Sequence, residues 1–419
     1  MIRKLSGTTF SRIGIAFISF LIIIVNSNFL GAEKLGEVAM LVLSIQVAVL
    51  TNEFIGGSGL VYLAPRFEKI KILVPSYLFA VLGPSLTILA LSQFQFFDFQ
   101  YVYMIMGISI LQSINHCNYH YLVGREQIFS YNIISLLQVM LLIINLLLGY
   151  TFISGASIST FLYSLLLAHF IVLLISMIRV SFLKSNTSHP NSSSAIKQLL
   201  KYGGLIQITN LIQLANYRFV YILIEKYLGK YGLGLFSVAT QISESLWIPG
   251  RSMGLVQYAH ISNDQRKNDA IRLTINLCKL SVLMSLVGVL MVYLIPEAFF
   301  GWVFGSEFKT VKNLFLYLIP GVVFFSLSFS LSQFFAGFGK HQFNTVVSGV
   351  GLAFTVGGGL FLIPTYGIEG AGITVSVSYT FQALLQLTMF IRINQISLIA
   401  FYPTASDIID LLKILKIKM

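Results

Sequence analysis

Three ionisable side chains stand out inside otherwise apolar helical runs: Glu53, Arg218 in Leu214-Ala215-Asn216-Tyr217-Arg218, and Glu244. A charge in such a run is costly to bury, so it marks a binding group, a gate or an ion pair. An arginine suits an anionic ligand, because its planar fork meets phosphate or carboxylate oxygens two at a time. Local pairing is the competing expectation: Arg218 and Glu225 are seven residues apart on one helical face, and so are Glu244 and Arg251. A second polar set runs through Ser109, Gln112, Ser113, Asn115, His116, Asn118 and His120. Ser109, Gln112, His116 and His120 share one face by i, i+3, i+4 spacing. His116 and His120 have the spacing of a metal-binding pair, but no third Cys, His or carboxylate lies near them in sequence, so no metal site is expected. Hydrogen bonding to sugar hydroxyls and hydrogen bonding between helices remain as readings of this face. Asn26, Asn28, Gln46 and Asn52 read in the same way. The candidate substrate-binding set is therefore Arg218, Asn26, Asn28, Gln46, Asn52, Gln112, Asn115 and His116. Glu53, Glu244 and Arg251 are candidates for gating or coupling. Gly357-Gly358-Gly359 has neither the lysine nor the strand context of a phosphate loop, and there is no nucleophile elbow or HExxH, so an enzyme is not expected.

The elements that carry these residues are membrane helices. Of 419 residues 56% are hydrophobic and only 10% charged, against about 25% charged in a soluble domain. That excludes a soluble enzyme, a disordered chain and a nucleic-acid-binding domain. A membrane helix needs roughly 20 mainly apolar residues. Twelve such runs occur, near 13–32, 37–62, 73–92, 101–123, 129–150, 156–179, 203–225, 233–257, 273–295, 313–335, 342–364 and 370–392. Arg3, Lys4 and Arg12 precede the first run, which is longer than a signal-peptide core and has no cleavage-like site after it, so a retained helix is expected. With both ends inside, 21 of the 27 Lys and Arg residues fall on the inner side and 5 on the outer, with Arg218 within a span. The net charge of +12 is therefore read mainly as the positive-inside signal. Cys117 and Cys278 lie in apolar runs and make neither a disulfide framework nor a metal spacing.

The chain also repeats itself. Leu30-Gly31 with Leu35-Gly36 matches Leu228-Gly229 with Leu233-Gly234 at an offset of 198. Gly124-Arg125-Glu126-Gln127 matches Gly339-Lys340-His341-Gln342, and Gly155-Ala156-Ser157-Ile158 matches Gly370-Ala371-Gly372-Ile373, both at 215. Repeats six spans apart keep one orientation, which gives a parallel repeat of two six-helix lobes. The expected division is 1–180 for the first lobe, 181–202 for a cytosolic polar linker, 203–393 for the second lobe and 394–419 for an amphipathic cytosolic tail. The 17-residue difference in offset places an insertion around Pro296–Lys312, an extra outer loop with Trp302 and Phe304. By the 198 offset Glu53 and Arg251 are equivalent, so a pairing across the lobes is a further expectation for them.

Several stretches resemble the bacterial polysaccharide flippase family, the O-antigen and capsule lipid-linked oligosaccharide translocases of the multidrug/oligosaccharidyl-lipid/polysaccharide exporter superfamily. They are Arg218 through Leu223 to Tyr227-Leu228-Gly229, Leu233-Gly234-Leu235-Phe236-Ser237-Val238-Ala239, Ile295-Pro296 through Phe304-Gly305-Ser306-Glu307-Phe308, Ala336-Gly337 with Gly339-Lys340, and Ile363-Pro364-Thr365-Tyr366-Gly367-Ile368-Glu369-Gly370-Ala371. Where the family often has an acidic residue just before the helix-7 arginine, this chain has Tyr217. The resemblance implies an all-α membrane protein of about twelve transmembrane helices around a cavity that opens alternately inward and outward. It implies an isoprenoid-pyrophosphate-linked oligosaccharide as substrate, membrane lipids and polysaccharide polymerase machinery as partners, no nucleic acid, and a place in the bacterial cytoplasmic membrane. No cofactor is expected, and coupling to H+ or Na+ stays open. The alternative is a multidrug or cation antiporter of the same superfamily, which needs an acidic cavity; Glu53 and Glu244 are the carboxylates on offer.

Overall fold

The computed structural model describes residues 2–153, 155–184, 195–263 and 266–402. The tail at 403–419 and the centre of the expected linker, 185–194, lie outside the described residues. Among the described residues there are helices and no strand. They are α1 (Ile2–Gly56), α2 (Ser58–Leu63), α3 (Lys69–Gln93), α4 (Val102–Gly124), α5 (Ile128–Leu148), α6 (Ile158–Ser181), α7 (Ala195–Ser245), α8 (Ile248–Asn263), α9 (Lys267–Leu294), α10 (Glu297–Phe304), α11 (Val311–Gly337) and α12 (His341–Asn394). Three of these break at a glycine, α1 at Gly31, α7 at Gly229 and α12 at Gly367, and each supplies two arms. With α3, α4, α5, α6, α9 and α11 they make twelve spans among the described residues, in the places the apolar runs put them. The short α2 and α8 extend the second arms of α1 and α7, and α10 lies in the inserted segment.

Seven helical stretches are long and apolar enough to cross a membrane by length and composition. Neither α4 nor α7 is among them. Those two carry the polar residues singled out above, so what weakens their apolarity is what makes them candidates for function.

The chain divides into two compact units. The first comprises Met1–Leu214, Leu228–Ser237 and Gly301–Phe308, and the second Ala215–Tyr227, Val238–Phe300 and Lys309–Met419. The first unit thus takes in three stretches that the division by sequence puts in the second lobe: 203–214, Leu228–Ser237 and Gly301–Phe308. Within it, one buried cluster gathers Leu30, Val38, Ile88, Val102, Leu146 and Ile158. Another gathers Leu63, Ile72, Leu122, Ile134, Val180 and Leu199. Successive connections therefore fall at alternate ends, which is an up-and-down bundle. In the second unit, Ile261, Ala270, Phe335 and Phe390 share a cluster, so the α8–α9 and α11–α12 links meet the end of α12. The end gathered around Leu63 in the first unit is basic, with Arg66, Lys69, Lys71, Arg125 and Lys197, and so is the end gathered in the second unit, with Arg266, Lys267, Lys340 and Arg392. Some of these cations also close helix ends. The Lys69 ammonium donates to the carbonyls of Val180, Ser181 and Leu183 at 3.1–3.3 Å, where α6 leaves its last carbonyls free.

The backbone carries the repeat more sharply than the residue types do. Gly31 (φ 74°, ψ 176°) and Gly229 (φ 74°, ψ −178°) have the same conformation, one that L-residues rarely adopt, at the offset of 198. The other two matches shift. The left-handed turn after α4 is at Glu126 and its counterpart after α11 is at Gly339, an offset of 213 rather than 215. Both turns close the same way, with Gln127 N–H donating to the Leu122 carbonyl and Lys340 N–H to Phe335. Gly155 likewise corresponds in backbone to Gly367, an offset of 212. Matching glycine to glycine misregisters the first of these turns, because one copy has a glutamate in the left-handed position; in the second both copies have glycine, and the Gly-Ala pair at Gly370 draws the match three residues on.

At the Gly31 end the two copies touch within the first unit. A Cβ on Gly36 would lie 1.9 Å from the Lys230 carbonyl oxygen, and one on Gly234 would lie 1.8 Å from that of Ala32. Ala32 and Lys230 are themselves equivalent at 198, so the contact is reciprocal. Only glycine lets the backbones approach this closely. Lys230 Nζ adds an ion pair to Glu37 at 2.8 Å. The inserted segment also docks here. Glu307 Oε2 accepts from Ala32 N–H at 2.6 Å, which caps the arm starting after Gly31. Asn28 donates to the Val303 carbonyl at 2.6 Å, and the Phe20 and Phe304 rings meet edge to face at 5.9 Å.

Candidate functional site

Arg218 lies on the first arm of α7 and Glu244 on the second, and the turn at Gly229 brings them together. Arg218 Nη1 is 2.9 Å from Glu244 Oε1, and Nη2 is 3.4 Å from Oε2, so the pair is two-pronged. Nη1 also donates to the Tyr221 hydroxyl at 3.1 Å, and that hydroxyl lies 2.8 Å from Thr240 Oγ1. The guanidinium stacks over the Tyr221 ring, 5.0 Å from its centroid. Arg218 is 19% exposed and Glu244 22%, so the pair is recessed but reachable. The expected partners are corrected here: Glu244 takes Arg218, not Arg251, and Arg251 lies over the rings of Trp247 and Phe329, at 5.6 and 5.3 Å. Seven-residue spacing keeps two side chains on one face but two turns apart, whereas the reversal at Gly229 sets two arms side by side. The acid absent before Arg218 in sequence is thereby supplied by the neighbouring arm.

The second cluster is in the first unit. Glu53, on the second arm of α1, has its Oε1 2.9 Å from His116 Nδ1 and 3.8 Å from His120 Nε2. This is the carboxylate that the sequence did not place near the histidines, 63 residues away from His116. The three side chains are 14–31% exposed. Asn52 and Gly56 fix the crossing of the two helices. Asn52 is fully buried and donates to the Ser113 carbonyl at 3.2 Å and to Cys117 Sγ at 3.6 Å. A Cβ on Gly56 would lie 2.6 Å from the same sulfur.

The other expected binding residues separate into two groups. Asn26, Asn52 and Asn115 are buried and committed to the bundle. Asn26 accepts from the Tyr150 hydroxyl at 2.9 Å; Asn115 donates to the His169 carbonyl and accepts from Ser176 Oγ, both at 3.0 Å. Asn28 is exposed but spends its amide on the Ile24 and Val303 carbonyls. Gln46 and Gln112 are half-buried. Gln46 is two turns from Glu53 and Gln112 one turn from His116, so Gln46, Glu53, Gln112, His116 and His120 make up an accessible polar strip on two packed helices. Ser109, expected on that face, is buried instead. In the second unit, the sequence did not single out a buried network around Asn216. Its amide donates to Gln382 Oε1 at 3.1 Å, and its carbonyl accepts from Thr355 and Ser378 at 3.0 and 3.2 Å. Nothing local signals it, because the partners are 139 to 166 residues away.

Twelve mainly apolar arms, with ionisable residues within the spans, define an all-helical membrane fold. Among solved structures, a MOP superfamily transporter from Pyrococcus furiosus, whose binding pocket is described as of reverse polarity, superposes with a TM-score of 0.68 at 15% identity, over 94% of this chain and 95% of that one. A multidrug resistance MATE family transporter of the MOP superfamily, in an outward-facing conformation, gives 0.67 at 16% identity, over 94% and 96%. The lipid II flippase MurJ, in an inward closed conformation, gives 0.64 at 14% identity, over 96% and 89%. The chain therefore shares its fold with these three proteins. It is a multi-pass membrane protein, and the structures named above are of two transporters and a flippase. No family model matches the sequence. Among curated proteins it is 24% identical over 174 residues to the capsular polysaccharide biosynthesis protein CapF of Staphylococcus aureus, which is 41% of this chain and 44% of that relative's length.

Proposed function

We propose that this protein is a flippase that carries an isoprenoid-pyrophosphate-linked oligosaccharide, a repeat unit of O-antigen, capsule or exopolysaccharide, across the bacterial cytoplasmic membrane by alternating access. On this reading both chain ends and the basic connections are cytosolic, the partners are the lipid-linked oligosaccharide, membrane lipids and the polymerase machinery, and coupling is to H+ or Na+. The observation that carries it is electrostatic. A cation exporter needs a carboxylate free to receive its substrate, and here Glu244, the carboxylate beside the candidate arginine, is held by Arg218. The pair at Arg218 suits an anion instead. A pyrophosphate can take the guanidinium fork in place of Glu244, so the arginine exchanges one anion for another. The similarity to CapF supports the same class of substrate.

The test is to delete the gene and analyse lipids in the native cell. Isoprenoid-pyrophosphate oligosaccharide should accumulate on the inner leaflet, and wild-type protein should clear it. Arg218→Ala should not clear it, and Arg218→Lys, which keeps charge but loses the fork, should be intermediate. A charge-assisted hydrogen bond contributes about 1.5–3 kcal/mol, so loss of Arg218 should weaken substrate binding about 10- to 150-fold. Because Arg218→Ala also strands Glu244, the double variant Arg218→Ala with Glu244→Gln separates the roles: protein level should recover while export stays absent. Export restored by the double variant would make Arg218 structural. Drug hypersensitivity without glycolipid accumulation would favour the multidrug antiporter.

A further inference from the structure

We propose that Glu53, His116 and His120 bind a divalent transition-metal ion of the zinc type. Among the described residues this is the cluster in which three carboxylate and imidazole donors converge, each within 4.8 Å of the others. Both histidines aim a nitrogen at the same oxygen. His116 Nδ1 is within hydrogen-bond reach of Glu53 Oε1 at 2.9 Å, but His120 Nε2, at 3.8 Å, is beyond it. A cation at the focus satisfies all three donors, whereas one carboxylate oxygen does not. Zinc bonds of about 2.0–2.2 Å in a tetrahedron hold donors about 3.3 Å apart, which lies between the two separations seen, so side-chain adjustment alone admits the ion.

The donor set selects the class of metal. Two imidazoles and one carboxylate suit zinc and its neighbours, while calcium and magnesium require oxygen ligands throughout. His116 and His120 sit one helical turn apart, the spacing that turns two imidazoles to one side of a helix. Their helix is locked to that of Glu53 by the buried Asn52 hydrogen bond to the Ser113 carbonyl, one residue from Glu53 and three from His116. That crossing holds the constellation before any ion arrives. Three protein ligands leave a fourth position for water or another oxygen, and the partial exposure of all three side chains lets solvent reach it. The sequence pointed to no metal here because its third ligand comes from a different helix. The inference stands whatever the transported substrate is.

The experiment uses full-length protein in detergent without a histidine tag, freed of metal and titrated with Co2+, then with Zn2+. One equivalent of Co2+ per chain should bind with the intense visible bands of four- or five-coordinate cobalt, and Zn2+ should displace it. His116→Ala and Glu53→Gln should each weaken binding by at least about 100-fold, beyond the 10- to 100-fold typical of losing a second-shell partner. His116→Cys supplies a different donor, so it should retain the metal and add a thiolate-to-cobalt charge-transfer band, a signature that a merely structural histidine does not produce. No stoichiometric binding by the wild-type protein overturns the proposal. So does wild-type affinity in His116→Ala, or a His116→Cys variant that elutes as folded protein yet shows no new band.

Discussion

Replacing Gly36 with alanine probes the reciprocal crossing at which the two repeats touch. A carbon and a carbonyl oxygen in close contact sit about 3.3 Å apart, whereas a Cβ on Gly36 would lie 1.9 Å from the Lys230 oxygen. The obstacle is backbone, with no flexible side-chain end to swing aside, so the arms must separate by about 1.4 Å. Overpacking of this kind costs about 1–3 kcal/mol, and a backbone-to-backbone clash belongs at the upper end. The gain of alanine over glycine in a helix offsets about 0.5–1 kcal/mol, leaving a net loss of about 2 kcal/mol. Gly234→Ala opens the same crossing from the other side, against the Ala32 oxygen. Once either substitution has parted the arms the other has room, so the double variant should cost about as much as one single and not twice as much. Gly349→Ala is the control, since a Cβ there meets nothing within 4 Å, and it should be neutral or slightly stabilising. Thermal unfolding of the purified protein in one detergent, followed by intrinsic fluorescence, reads all four. Singles that melt with the wild type, or a double variant whose loss is the sum of the two, would refute the crossing as one shared contact.

Two further outcomes are expected. Glu307→Ala should remove the cap on the arm after Gly31 at a cost of about 1 kcal/mol, which raises hydrogen exchange at the Ala32 amide about fivefold, while Glu307→Gln should lose less; unchanged exchange would show that the cap is not formed. Asn216→Ala should leave Thr355, Ser378 and Gln382 short of a partner, and with hydrogen bonds in membrane proteins averaging about 0.6 kcal/mol each the loss should be about 2 kcal/mol; a melting temperature equal to wild type would sink that reading of the network.

The helix count was legible because the bilayer enforces it. Every span must be long and apolar, and the basic residues at alternate ends keep the register of the count. The tight reversals were less so. Leu30-Gly31 and Leu228-Gly229 could be aligned by glycine, since both copies need a backbone closed to other residues. After α4 the same left-handed position is held by Glu126, and residue identity gives no warning of that. The charged pairs were hidden for a geometric reason. Helical periodicity links residues up to two turns apart, which is why Arg218 was matched with Glu225. Its partner Glu244 is 26 residues away, across a turn whose direction the sequence does not state. Composition also cannot separate polar residues that glue helices from those that meet a ligand. Asn115 and His116 are neighbours on one helix, yet Asn115 is sealed inside the bundle while His116 remains about one-third exposed.

The partial exposure of the Arg218–Glu244 pair bears on how such a site would work. A fully buried pair resists exchange, because an ion leaving its partner strands a charge in a low-dielectric interior at a cost of about 3–5 kcal/mol. A pair in open water offers an incoming anion little, since such a bridge contributes about 0–1 kcal/mol. At about one-fifth exposure the pair is neither sealed nor open, and the Tyr221 hydroxyl, which also accepts from the arginine, keeps the guanidinium oriented. On the proposed reading an arriving pyrophosphate would replace one set of charged hydrogen bonds by another, so the gain on binding would be smaller than the sum of the new contacts. Small net binding built from strong, geometrically selective contacts is what translocation demands: selective enough to admit the substrate, and weak enough to let it go on the other side.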